Sequence, residues 1–101
     1  MQKFLVMKFK YFDLIRSGKK VIELRNNKFE GVTSLKLQRG YVKNAEQFTI
    51  DVVNYYKISE LDSETKDMVL ASAMYDGDIS TLDLSNAYGY QLDNKSIKTV
   101  R

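Results

Sequence analysis

The stretch that most constrains this chain runs from Lys10 to Arg25, KYFDLIRSGKKVIELR. Its first half has the spacing of a short helix, with Tyr11, Phe12, Leu14 and Ile15 gathered on one side that can face a core. Ser17-Gly18 ends it, because glycine enters the left-handed conformation at a helix C-terminus without a Cβ penalty. From Val21 to Arg25 the pattern switches to alternation, as in a half-buried strand. Alternation puts Val21, Glu23 and Arg25 on one face and Ile22 and Leu24 on the other. Lys19 and Lys20 occupy the corner between the two elements. A small helix therefore delivers two lysines, a glutamate and an arginine to one tight turn and the strand that leaves it.

The length, 101 residues, makes one domain (1–101) with a single core burying about two-thirds of the unfolded surface. The longest apolar run, Phe4-Leu5-Val6-Met7, is too short for a transmembrane helix or a signal-peptide core, so the expected partners include no membrane and the expected location is cytoplasmic. What is missing narrows the chemistry further. With no cysteine there is no disulfide, thiolate nucleophile or thiolate-bound zinc. With no histidine there is no Ser-His-Asp triad and no imidazole base near neutral pH. Proton transfer would fall to carboxylates, lysine or tyrosine, which weakens most enzyme readings; no cofactor and no metal is expected.

Charge divides the chain. Residues 1–50 carry 11 Lys/Arg against 4 acids, net +7, whereas residues 51–101 carry 5 against 9, net −4. The basic half can present a positive face to phosphate, although lysines that merely solvate exposed strand faces explain the count equally well.

Phe4 to Phe9 reads as a first strand, apolar enough for burial on both faces. Asn26-Asn27-Lys28 signals a turn. Thr33 to Arg39 alternates, with Leu35 and Leu37 on one side and Ser34, Lys36 and Gln38 on the other, and Gly40 closes it. Gln47 to Ile58 is the longest strand signal. Its apolar phase changes between Val52 and Val53, which predicts a β-bulge or a strand bending round a barrel corner. Tyr55-Tyr56-Lys57 can form a stacking surface beside a cation, but a core tyrosine is the commoner explanation. Leu61 to about Met74 reads as a helix capped by Asp62 or Ser63, with Met68, Val69 and Ala73 as its buried stripe. Asp76-Gly77-Asp78 reads as a turn that lacks the remaining spacing of a calcium loop. Beyond Ser80, Leu82 and Leu84 fit a short helix or a packed loop, Tyr88, Tyr90 and Leu92 alternate, and Ile97 to Val100 is expected to fold back across Asp93-Asn94-Lys95 as a final hairpin.

Gly18-Lys-Lys20-Val-Ile-Glu23-Leu-Arg25 resembles the signature of the ASCH domain, a small module of the PUA-like superfamily, over about sixteen residues that include the preceding helix. The resemblance implies an α+β domain, a small PUA-like β-barrel with two flanking helices. It also implies a cleft beside the motif that binds RNA or modified nucleosides. Where the family usually has Gly-Asp entering the next strand, this chain has Gly31-Val32. One bacterial branch of the family is an amidohydrolase acting on N4-acetylcytidine. That branch resembles this chain at Gly18, Lys20 and Arg25 but has a threonine nucleophile where Glu23 stands, and a carboxylate cannot replace that hydroxyl in the same acyl-transfer step. Its further acidic residue has Asp76 and Asp78 as the nearest counterparts.

The expected function is therefore binding of RNA, single-stranded nucleic acid or a modified nucleoside. The expected cleft residues are Lys20, Glu23 and Arg25, with Lys19, Lys36 and Arg39 as outer phosphate contacts. An arginine fork suits phosphate or a base edge, and a glutamate accepts from an exocyclic amine. A bland alternative is that Glu23 and Arg25 simply pair, while the lysines complement the preceding helix dipole. Were the chain a nucleoside amidohydrolase, Lys20 would be the first candidate catalytic residue. A third reading is a protein-interaction module or an inhibitor of a nucleic-acid enzyme, as found in mobile elements. It would offer the stretch from Glu60 to Asp93, with eight acids and one lysine, to a basic channel on a protein partner.

Overall fold

The computed structural model describes residues 1–73 and 83–101. Strand β1 (Gln2–Met7) pairs in parallel with β3 (Ser34–Arg39), so the segment joining them must cross over rather than turn back. That crossover holds α1 (Phe9–Arg16) and the motif strand β2 (Ile22–Arg25). After β3 the chain returns antiparallel as β4 (Gln47–Lys57), makes a 3-10 turn at Ile58–Glu60, and forms α2 (Ser63–Ser72). A second 3-10 turn, Leu84–Asn86, leads into β5 (Tyr88–Thr99). The strand order is β1-β3-β4-β5-β2, a five-stranded mixed sheet curled into a half-barrel whose edges are β1 and β2.

The two faces of the sheet are covered differently. Leu5, Met7, Leu35, Leu37, Phe48, Ile50, Tyr90 and Leu92 point inward and pack on Phe12 and Ile15 of α1, both fully buried. The Phe12 and Phe48 rings lie 4.7 Å apart, and burying a side chain of this size contributes about 1.5–3 kcal/mol. On the outer face, Ile22 and Leu24 join Ile58, Val69, Ala73 and Ala87 in a second, smaller core under α2. Gly89 sits at its centre. A Cβ there would lie 3.3 Å from Ile58, 3.4 Å from Ile22 and 3.5 Å from Val69, so a larger residue would push α2 away.

Helix α1 ends as its residues require. Ser17 is the last αR residue, Gly18 turns with φ +82°, and the amides of Lys19 and Lys20 bond back to the Leu14 carbonyl. Asp62 caps α2, its carboxylate accepting from the Thr65 amide at 2.7 Å.

Three expectations need correction. The first strand is not buried on both faces: Phe4 is 49% exposed, because among the described residues nothing covers the outer face at that end of the sheet. Met68 points to solvent at 65% exposure, since the helix turns Val69 and Ala73, one helical turn apart, and the partly buried Leu70 toward the second core instead. There is no terminal hairpin either. β5 is one strand that pairs with β2 along its first part and with β4 on either side of residues 94–97. Asp93-Asn94-Lys95 belongs to a bulge, where the register passes from Asp51↔Asp93 to Thr49↔Lys98. The bulge turns Asn94 onto the end of α1, donating to the carbonyls of Ile15 at 2.8 Å and Lys20 at 3.3 Å. The expected irregularity in β4 is present, with register shifts between Thr49 and Asp51 and between Val52 and Asn54.

Candidate functional site

Lys20 is fully buried, as few lysines are without a partner. Its ammonium donates to the carbonyl of Ala73, at the C-terminus of α2 where the helix dipole is negative. It also lies 3.4 Å from Glu23 Oε1 and 5.2 Å from the centre of the Tyr11 ring. Burial pulls the Lys20 pKa below its ordinary value, and Glu23 offsets part of that. Glu23 is buried on the inner face, and its other oxygen accepts from Arg25 Nε at 2.8 Å. Arg25 carries the chain of charges outward to the rim. It is half-buried, and its Nη2 reaches Met7 Sδ at 3.3 Å, linking edge strand β2 to edge strand β1.

The sheet then extends this line sideways. β2, β5 and β4 place Glu23, Tyr90 and Tyr55 in one cross-strand row, and Arg25, Tyr88 and Lys57 in the next. Residues directly opposite share a face, so both rows look inward. The Tyr55 and Tyr90 rings stack at 6.1 Å, and Phe29 stacks on Tyr90 at 5.3 Å. Tyr90 also holds the loop after β2: its hydroxyl accepts from the Phe29 amide and donates to the Asn27 carbonyl, both at 2.8 Å. That loop brings Lys28 up beside the rows, where it pairs with Glu30 at 3.2 Å.

A groove of about 770 Å³ opens at this end of the sheet. Lys28, Lys57, Tyr55 and Tyr88 line it, together with Asn54, Tyr56, Glu60 and Leu61. Tyr56 is tied down by a hydrogen bond from its hydroxyl to the side chain of Gln91. The size lies within the range of small-molecule sites, and the lining offers flat rings, two ammonium groups and one carboxylate.

The six residues singled out in the sequence do not form one surface. Lys20, Glu23 and Arg25 come together as a buried-to-rim charge relay, in which only Arg25 reaches the solvent side. Lys19 is exposed at the corner after α1. Lys36 lies between Leu35 and Leu37, which point inward, and so projects from the opposite, outer face of the sheet. Arg39 is held at the rim of α1 by a bidentate pair with Asp13, both contacts 2.9 Å. The bonds to Arg39 hold the Asp13 carboxyl below the usual range. Asp76 and Asp78 fall outside the described residues, as do Met74, Ser80 and Leu82. Among the described residues, no cluster of three or more acidic side chains is placed to hold a metal ion, and no helix is long and apolar enough to cross a membrane.

Lys28, Lys57, Glu60 and Tyr88 carry the groove, yet the motif does not contain them. Tyr55-Tyr56-Lys57 stood out in the sequence as a stacking surface beside a cation. The partnership of Lys57 with Tyr88 and Arg25 depends on strand register between segments more than thirty residues apart. Compared with known proteins, the chain matches no protein-family model, and no curated protein is significantly similar to it.

Proposed function

We propose that this chain is an ASCH-type, PUA-like domain that binds RNA or a nucleotide in the groove beside the motif strand. The observation that supports the reading most directly is the row Arg25–Tyr88–Lys57. It joins the end of the motif to a groove lined by three tyrosines and two lysines. Flat rings reward base stacking by about 1–3 kcal/mol per base, whatever the base, and cations follow the backbone. In this reading Lys20 and Glu23 position the site rather than touch the ligand. Lys20 neutralises Glu23 and ties β2 to the end of α2, and Glu23 fixes the plane of the Arg25 guanidinium. The same contacts speak for a positioning role of Lys20 over acyl transfer to a nucleoside.

Binding of a fluorescent single-stranded RNA, read by anisotropy at low and at higher salt, tests the reading. With two or three phosphates engaged, raising salt from about 50 to 200 mM weakens binding by about six- to twentyfold. Tyr88→Ala and Arg25→Ala should each weaken it while the circular dichroism spectrum is kept. Equal, salt-independent signals from wild type and both variants would overturn the proposal.

A further inference from the structure

The groove contains more information than a stacking surface needs. Its two ammonium groups come from different segments, Lys57 from the end of β4 and Lys28 from the loop after β2, and Tyr55 and Tyr88 line the same groove, Tyr88 directly across from Lys57. No ion pair ties Lys57 among the described residues, whereas Lys28 is engaged by Glu30, an exposed carboxylate 3.2 Å away. A neutral ring on the tyrosines has no use for a pair of cations. An anion beside that ring does, because charge-assisted hydrogen bonds to phosphate are about twice as strong as neutral ones. Glu60, in the same lining, is kept for a donor: a ribose hydroxyl or an exocyclic amine.

We infer that the groove selects a phosphate-bearing nucleotide unit over the free nucleoside, with the phosphate between Lys28 and Lys57 and the base on Tyr55 and Tyr88. Glu30 acts as a built-in competitor, occupying Lys28 until the phosphate displaces it. The inference rests on the proposed groove reading and adds the ligand class and the role of Glu30. The phosphate belongs either to a free mononucleotide or to the backbone of a strand.

Titration by NMR or calorimetry separates the cases. The probes are uridine and adenosine, their 5′-monophosphates, and a uridine tetranucleotide. The monophosphates or the tetramer should bind at least about tenfold tighter than the nucleosides, as one charge-assisted contact allows. Monophosphate binding identifies a mononucleotide site, and tetramer binding alone a strand site. Lys57→Ala should remove most of the advantage of the phosphorylated probes, leaving the part that Lys28 supplies, and should weaken them far more than the nucleosides. Glu30→Gln, at an exposed position, should tighten the phosphorylated probes about two- to fivefold, the worth of a surface ion pair, and leave nucleosides alone. Nucleosides binding as well as nucleotides, with no response to Lys57→Ala or Glu30→Gln, would overturn phosphate selection while the groove reading stands. Failure of every probe would overturn both.

Discussion

Two charged clusters lie within this small molecule, and their residue types are nearly the same. One is Lys20–Glu23–Arg25, which runs from the buried Lys20 at the end of α2 through the buried Glu23 to the half-buried Arg25 at the rim. The other joins Asp13 of α1 to Arg39 of β3 and to Arg16, which also meets Glu46. In the first, Lys20 is inaccessible to water and Glu23 almost so; in the second, side chains are roughly one-third to one-half exposed. Burial changes what the same pairing does. In water a pair contributes little and breaks at little cost, while inside the protein each charge depends on its partner because desolvation has already been incurred. The buried cluster therefore behaves as one unit, and the exposed one as separable contacts.

The largest expected effect comes from Glu23→Gln, which leaves Lys20 and Arg25 facing each other without a counter-charge. Losing one partner of a buried pair costs about 3–5 kcal/mol, read as a lower urea midpoint at unchanged m. Lys20→Met should cost less, about 1–3 kcal/mol, because Arg25 still neutralises Glu23 and chiefly the Ala73 carbonyl loses its donor. The double variant Glu23→Gln, Lys20→Met should be more stable than Glu23→Gln alone. If the two changes simply add, the cluster is not a unit and the contrast fails.

Titration sharpens the same contrast at both ends of the pH scale. The folded-state pKa of Lys20 is lowered from 10.5, so the unfolded chain binds more protons between the two values. Stability contributed by this group therefore rises with pH through that window. Tyr90, whose pKa burial raises from 10.0, contributes the opposite slope. The difference between wild type and Lys20→Met isolates the lysine: wild type should gain on the variant as pH climbs toward 10.5. In the exposed cluster the Asp13 pKa is lowered from 3.8, so its contribution is present above that value and lost as pH falls through the folded one. Asp13→Asn should flatten the acid limb of a stability–pH curve and, at neutral pH, cost less than about 1 kcal/mol after solvent screening. A larger loss at Asp13 than at Lys20 would reverse the comparison.

Local chemistry was legible in the sequence wherever the deciding contacts were local. Gly18 marked the end of α1 because only a residue content at positive φ fits there, and the switch from helical spacing to alternation located β2. The phase change in β4 announced its bulges. Partners far along the chain were not legible. Lys20 reads as a corner lysine available to ligand or to the nearer helix dipole, yet it meets the end of the other helix, 53 residues on. Lys36 and Arg39 read as neighbours of the motif in charge, but one points to the outer face and the other is held by Asp13. Asp93-Asn94-Lys95 has the composition of a hairpin turn. It became a bulge because β5 has strands to pair with on both sides and Asn94 has helix carbonyls to satisfy.

The position of β5 also bears on how the protein is made. β5 is inserted between β4 and β2, and among the described residues β2 has no other strand neighbour. While the ribosome has delivered only the first half, the motif strand has its helix but neither a ladder nor the tyrosine rows. The sheet can close only after the segment ending at Thr99 has emerged. Such non-local pairing folds slowly, because loop closure is paid before the contacts form. Until then the unpaired edge of β2 stays open to any passing strand, which makes the interval before β5 arrives the period of greatest exposure to aggregation.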